Sequence, residues 1–188
     1  MVLLIKARVF MAKHISKKIV YESPYFNIVD VEIEFTPNLT RHYEIIEKND
    51  TSMIVPINAK DEVILIREYF YAADERQIAL PKGRIEKGQN ALDAANRELQ
   101  EEIGYKAGKL DKLGVLTISP GYYTQKTHVF LAQELTESRL PGDEDEEIEV
   151  LPMAFERVEE LIESGEIAEA RVIAALYLAK KFLTKSKL

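Results

Sequence analysis

Gly83-Arg84-Ile85-Glu86-Lys87-Gly88-Gln89-Asn90-Ala91-Leu92-Asp93-Ala94-Ala95-Asn96-Arg97-Glu98-Leu99-Gln100-Glu101-Glu102-Ile103-Gly104-Tyr105 passes from a glycine-bounded charged loop into a helix and out again at a glycine. Gly83 and Gly88 permit tight backbone turns. Asn90 is suited to cap a helix over Ala91–Ile103, with Asp93 three residues on as a capping-box partner. Gly104 supplies the stop. On that helix Glu98 lies one turn from both Glu101 and Glu102, so the carboxylates gather along one edge. Like charges at this spacing repel by about 0.2–0.5 kcal/mol per pair. They also occupy the last turns, where the helix dipole disfavours anions. A helix selected for stability alone would carry lysines there. A divalent cation relieves both costs, and carboxylate oxygens suit Mg2+ or Mn2+. By itself Glu-x-x-Glu-Glu reads more readily as a solvated acidic face than as a metal site. The glycine-bounded loop that feeds straight into the helix favours the cation.

Upstream, Lys18–Glu22, Phe26–Phe35 and Arg41–Glu47 are rich in β-branched and aromatic residues and predict strands. Lys48-Asn49-Asp50 is a polar break. It divides an N-terminal strand subdomain, residues 1–48, from a main domain, residues 49–188. In the main domain, strands are expected at Met53–Ile57, Glu62–Arg67, Gln77–Leu80, Leu110–Ile118, Thr127–Gln133 and Glu149–Met153. Phe155–Glu163 and Ala168–Leu183 read as helices. Strands and helices mixed without regular alternation predict the α/β class, as a sandwich rather than a barrel or a doubly wound sheet.

The 188 residues carry 32 acidic and 25 basic side chains, a net charge of −7. That balance argues against a nucleic-acid partner held by phosphate contacts. It also poses a question for any anionic substrate. The absence of cysteine excludes disulfides, thiolate metal sites and a cysteine nucleophile, and fits a reducing cytoplasm. The longest apolar run, Val172–Ala179, is far too short to span a membrane. The apolar N-terminus is broken by Lys6 and Arg8 and does not read as a signal peptide. His14, His42 and His128 are not spaced as a metal site and read as structural or surface residues.

The loop–helix–loop resembles the box of the Nudix hydrolases: glycine, five residues, glutamate, seven residues, Arg-Glu, an aliphatic, any residue, Glu-Glu, any residue, glycine, an aliphatic. Gly83, Arg97, Glu98, Leu99, Glu101, Glu102 and Gly104 stand in register. Gln89 replaces the first glutamate and Tyr105 the final aliphatic. The resemblance implies a Nudix fold, with a mixed β-sheet between helices. It also implies hydrolysis of a nucleoside diphosphate derivative by water attacking phosphorus, with Mg2+ (or Mn2+) neutralising the diphosphate. Such cations would make an acidic site attractive to an anion. Carried onto this chain, the family pattern makes Glu98 and Glu102 metal ligands. Glu101 becomes a ligand or water-mediated partner counted with the catalytic groups, and the Lys82 carbonyl a further oxygen. Arg97 is then a structural brace. Gln89 keeps the capacity to accept a hydrogen bond from Arg97 but lacks the charge of the usual glutamate.

Features outside the box resemble the ADP-ribose pyrophosphatase branch. Pro120, in Ser119-Pro120-Gly121-Tyr122-Tyr123, matches a proline of that branch, and Arg67 in Ile66-Arg67-Glu68-Tyr69 a strand-end arginine that reaches substrate phosphates. Tyr122 is a candidate to stack on adenine. Gly142-Asp143-Glu144-Asp145-Glu146-Glu147 resembles the branch's acidic loop, with Glu144 as the base and Glu146 as a further metal ligand. Read alone, that run is a solvated acidic loop. The branch implies substrates such as ADP-ribose, NADH and short diadenosine polyphosphates, AMP as a product of ADP-ribose, and a cytoplasmic homodimer in which residues 1–48 form a dimerisation arm. The competing readings are a Nudix nucleoside-triphosphate pyrophosphatase and a non-catalytic Nudix-fold sensor of ADP-ribose or a dinucleotide.

Overall fold

A computed structural model describes residues 11–142 and 148–186. The chain forms two compact units, one containing the residues up to Lys48 with Thr117–Gln125, the other Asn49–Leu116 with Lys126 onward.

In the first unit, β1 (Lys13–Glu22), β2 (Asn27–Thr36) and β3 (Leu39–Glu47) form an antiparallel meander with β2 at its centre. The alternation in Val29-Asp30-Val31-Glu32 buries the two valines, as a period of two requires. Edge strand β1 is exposed at every position. The chain returns to this unit after Leu116. Ile46 N–H donates to the Tyr122 carbonyl at 2.8 Å, and the Ile46 carbonyl accepts from Thr124 N–H at 3.1 Å.

The second unit contains β4 (Thr51–Pro56), β5 (Val63–Phe70), β6 (Glu75–Ala79), β7 (Lys82–Arg84), α1 (Ala91–Glu98), β8 (Tyr105–Thr117), β9 (Lys126–Glu137), β10 (Glu149–Met153), α2 (Phe155–Glu163) and α3 (Ala170–Ser186). One sheet has the order β7-β4-β9-β8 and the other β10-β5-β6. β4 runs parallel to β9 and antiparallel to β7. Met53–Val55 and Val129–Ala132 are buried continuously, with no alternation. A parallel pair covered on both faces has this pattern, and α1 and α3 both pack on β4. The α/β sandwich is therefore the architecture observed. β7 is too short to announce itself in sequence. It exists because Lys82, Gly83 and Arg84 pair with Met53, Ser52 and Thr51.

The helix differs from expectation in one respect. It is α-helical only to Glu98, and Leu99–Ile103 form a π-helical turn. The buried residues recur as Ala94/Ala95, Glu98/Leu99 and Glu102/Ile103, a spacing of four. An α-helix rotates such a row off its face by about 40° per step. A wider turn keeps it facing inward, and such turns are frequent at functional sites. Gly104 ends the turn in the left-handed region at φ 76°, its N–H donating to the Leu99 carbonyl five residues back.

Candidate active site

Three anchors fix the loop and helix. Ser52 Oγ donates to the Ala91 carbonyl at 2.7 Å, tying β4 to the start of α1. Asn90 caps α1, its Oδ1 accepting from Asp93 N–H at 2.9 Å while its side-chain amide pairs with the Asp93 carboxylate. Asp50 holds the loop from below. Its carbonyl accepts from Ile85 N–H at 2.9 Å, and its carboxylate accepts from Lys126 N–H at 2.9 Å and meets His128 Nε2 at 3.0 Å.

On this frame Glu98 and Glu102 are turned inward, 5% and 3% exposed. Ionised carboxylates are rarely buried so deeply without partners. Glu98 meets Arg97 Nη2 at 2.5 Å, and Glu101 meets Arg97 Nη1 at 2.5 Å. Arg97 also donates to the Arg84 carbonyl at 3.0 Å, linking the helix to the strand before the loop. Partial burial works against the charge on Arg97, but Glu98 and Glu101 outweigh it and raise its pKa. Glu102 accepts from the backbone N–H of Lys82 at 3.0 Å. Burial pushes its carboxyl well above the usual carboxylate range; Lys82 pulls the other way, and the nearby Glu68 and Glu98 charges add to the rise. Gly83 lies directly against Glu98, for a Cβ there would stand 1.9 Å from the Glu98 carboxyl carbon. A side chain at this position would have to displace the Glu98 carboxylate.

Glu98, Glu101, Glu102, Arg97 and Lys82 are brought together as the sequence anticipates, while other candidates lie elsewhere. Gln89 does not reach Arg97: its Oε1 accepts from Glu86 N–H at 3.1 Å, closing the loop on itself, and Arg97 turns to Arg84 and the two glutamates. Arg67 does not join the carboxylates either. Neighbouring strand residues point to opposite faces. Glu68 is the one that turns to Lys82, and Arg67 pairs with Glu149 at 2.7 Å beside a groove of about 290 Å³ shared with Arg76, Gln77 and Glu166. Pro120 and Tyr122 belong to the first unit, in a turn where Tyr122 N–H donates to the Ser119 carbonyl at 3.1 Å. Glu144 and Glu146 lie outside the described residues. Sequence reasoning missed Glu68 and Asp50. The only signal for Glu68 was its place two residues beyond buried Ile66 on the same strand face.

Among the described residues, no three carboxylate or histidine side chains stand together as a ready metal site. The donor chemistry nevertheless fits a hard divalent cation. Glu68, Glu98, Glu101 and Glu102 are four carboxylates compensated by the side chains of Lys82 and Arg97. With all four ionised, the surplus equals the charge of one such ion, and all the donors are oxygens. Among the described residues no helix is long and apolar enough to cross a membrane.

Residues 48–176 match the NUDIX domain family. The chain is 35% identical to ADP compounds hydrolase NudE of Escherichia coli (strain K12), across 87% of this chain and 89% of that protein. It is 30% identical to ADP-ribose pyrophosphatase of Bacillus subtilis (strain 168), across 90% and 93%. A crystal structure of an ADP compounds hydrolase superposes with a TM-score of 0.85 at 33% identity, covering 93% of this chain and 95% of that one.

Proposed function

The chain belongs to the Nudix hydrolase family, and from that premise we propose that it hydrolyses the diphosphate linkage of ADP-linked compounds, releasing AMP from ADP-ribose. The observation that carries this reading is the burial of two carboxylates, Glu98 and Glu102, on the helix that also carries half-buried Glu101, against Gly83 and Lys82. The substrate class is supported by likeness to relatives named for ADP compounds and ADP-ribose over nearly the whole chain.

The cofactor in this reading is Mg2+, with Mn2+ as a substitute. Glu98 and Glu102 would hold it, with Glu101 and the Lys82 carbonyl as further oxygens and Glu146 as a ligand from the acidic loop. When bound, it neutralises the diphosphate, polarises phosphorus and lowers the pKa of water. The chain's own residues do the rest. Arg97 fixes the directions of Glu98 and Glu101 and clamps the helix to the Arg84 carbonyl. Gly83 lets the backbone approach the reacting region where any side chain would displace Glu98. Glu144 accepts a proton from the attacking water. The bridging P–O bond breaks as the water oxygen joins phosphorus, so that ADP-ribose gives AMP and ribose 5-phosphate.

The enzyme acts in this reading as a cytoplasmic homodimer with β1–β3 as its arm. Support comes from the full exposure of β1 and from Ile15, Ile19, Val20 and Tyr21 standing about half exposed on it. Uncovered strand edges of this kind pair readily. Incubation of the pure protein and Mg2+ with ADP-ribose, NADH, diadenosine triphosphate and nucleoside triphosphates, with chromatographic product analysis, tests the function. AMP from the first three is expected. Pyrophosphate from triphosphates alone would favour the nucleoside-triphosphate reading, and tight binding without products would favour a sensor.

A further inference from the structure

We propose that the ammonium of Lys82 is a built-in competitor of the catalytic cation: it compensates Glu102 and Glu68 in the metal-free protein and sets how tightly a divalent ion binds. The inference rests on the reading of the box carboxylates as a cation site and gives the Lys82 side chain a role there beyond balancing charge.

Lys82 and Glu68 form an ion pair whose side chains are only 16% and 17% exposed. Lys82 Nζ also lies 5.0 Å from the centroid of the Phe70 ring, on the same face of β5 as Glu68. The ammonium is therefore held from two sides, by a carboxylate and by an aromatic face. Its backbone N–H donates to Glu102 at 3.0 Å, so the residue that carries the ammonium is anchored on one carboxylate by its backbone and on another, Glu68, by its side chain. Arg97 is committed to Glu98, Glu101 and the Arg84 carbonyl. Among the described residues, Lys82 thus ties Glu102, through its backbone, to the Glu68–ammonium pair.

A divalent ion entering beside Glu102 would meet this positive charge directly. Site affinity for hard cations follows the net charge of the ligands, so an ammonium in the site weakens binding. Lysine also suits a competitor that must yield. Its compact charge sits on a flexible stem, and the Glu68–Phe70 cradle holds it beside the box carboxylates, from which a bound ion would push it away. Glu68, outside the box motif, becomes the residue that positions the competing charge.

The test is Mn2+ binding without substrate, read from the electron paramagnetic resonance of free Mn2+, for the full chain and its variants. Lys82→Met should bind Mn2+ on the order of tenfold more tightly or better, whereas Lys82→Arg, which keeps the charge, should stay near wild type. Thermal melts in EDTA check that each variant is folded, and Lys82→Gln gives the same readout should the methionine variant not fold. Binding by the neutral variants that is equal to or weaker than wild type overturns the inference while leaving the cation site standing. Absence of Mn2+ binding in wild type and neutral variants alike overturns both. Binding gained only on neutralising Lys82 supports the competition in its strongest form.

Discussion

Gly83→Ala should separate activity from folding. The added Cβ would stand 1.9 Å from the Glu98 carboxyl carbon and 2.0 and 2.1 Å from its oxygens. Comfortable contact needs about 3.5–4.0 Å, so the carboxylate must move by roughly 1.5 Å or more. The atoms that must give way are the end of a side chain, so the backbone of α1 is spared. Glu98 is nonetheless buried and tied to Arg97, which places the cost in the range of other overpacking changes, about 1–3 kcal/mol. For a chain of this size that lowers Tm by a few to about 10 °C. Displacing a catalytic group by about 1 Å costs about 10²-fold in rate, so kcat/KM on ADP-ribose should fall by at least that factor at temperatures where the variant is fully folded. Gly88→Ala is the comparison. Gly88 has φ 86° with open space around its Cβ position. Alanine there should cost about 1–2 kcal/mol of backbone strain and leave turnover largely intact. Near-normal kcat/KM in folded Gly83→Ala would refute the placement of Glu98 at the reacting centre.

Glu102→Gln should abolish most turnover yet leave the metal-free protein as stable as wild type or more so at neutral pH. A carboxyl whose folded pKa is raised by burial contributes stability that is full below its unfolded pKa and lost as pH rises through the folded one. Melts in EDTA should therefore show wild type losing ground to Glu102→Gln as pH increases from acid to neutral; a parallel pH dependence contradicts this. Arg97→Met removes a charged partner of buried Glu98 and should cost about 3 kcal/mol or more, read by urea denaturation; a loss below about 1 kcal/mol would mean that Arg97 is no brace. Glu144→Gln should lower kcat by about 10²–10⁴-fold with little change in KM; an unchanged kcat with a large loss in Glu147→Gln moves the base to that neighbour.

Much of this was legible because the chemistry constrains local sequence. Asn90 and Gly104 follow from capping and left-handed termination, and the structure realises both; helical periodicity placed Glu98 and Glu102 on one edge, and both are buried. The π-helical turn was hidden in the same stretch, because the spacing of four in buried pairs is informative only once burial is known. β7 and Asp50 depend on partners far along the chain, Met53 and Lys126 among them, and local propensity carries no trace of such pairings. Arg67 and Glu68 show what the sequence leaves open. Two adjacent polar residues on a strand are equivalent in sequence until the faces are assigned, and a shift of one residue exchanges a groove arginine for a site carboxylate.

The most direct test of the account is phosphorus-31 NMR of ADP-ribose incubated with the enzyme, in Mg2+ and in excess EDTA. The diphosphate resonances should give way to two monophosphate resonances, AMP and ribose 5-phosphate, with Mg2+ and with the wild-type chain, and persist in EDTA or with Glu98→Gln. Diphosphate that survives in Mg2+, or is consumed equally in EDTA, would contradict a cation-dependent hydrolase built on the Glu98–Glu102 edge.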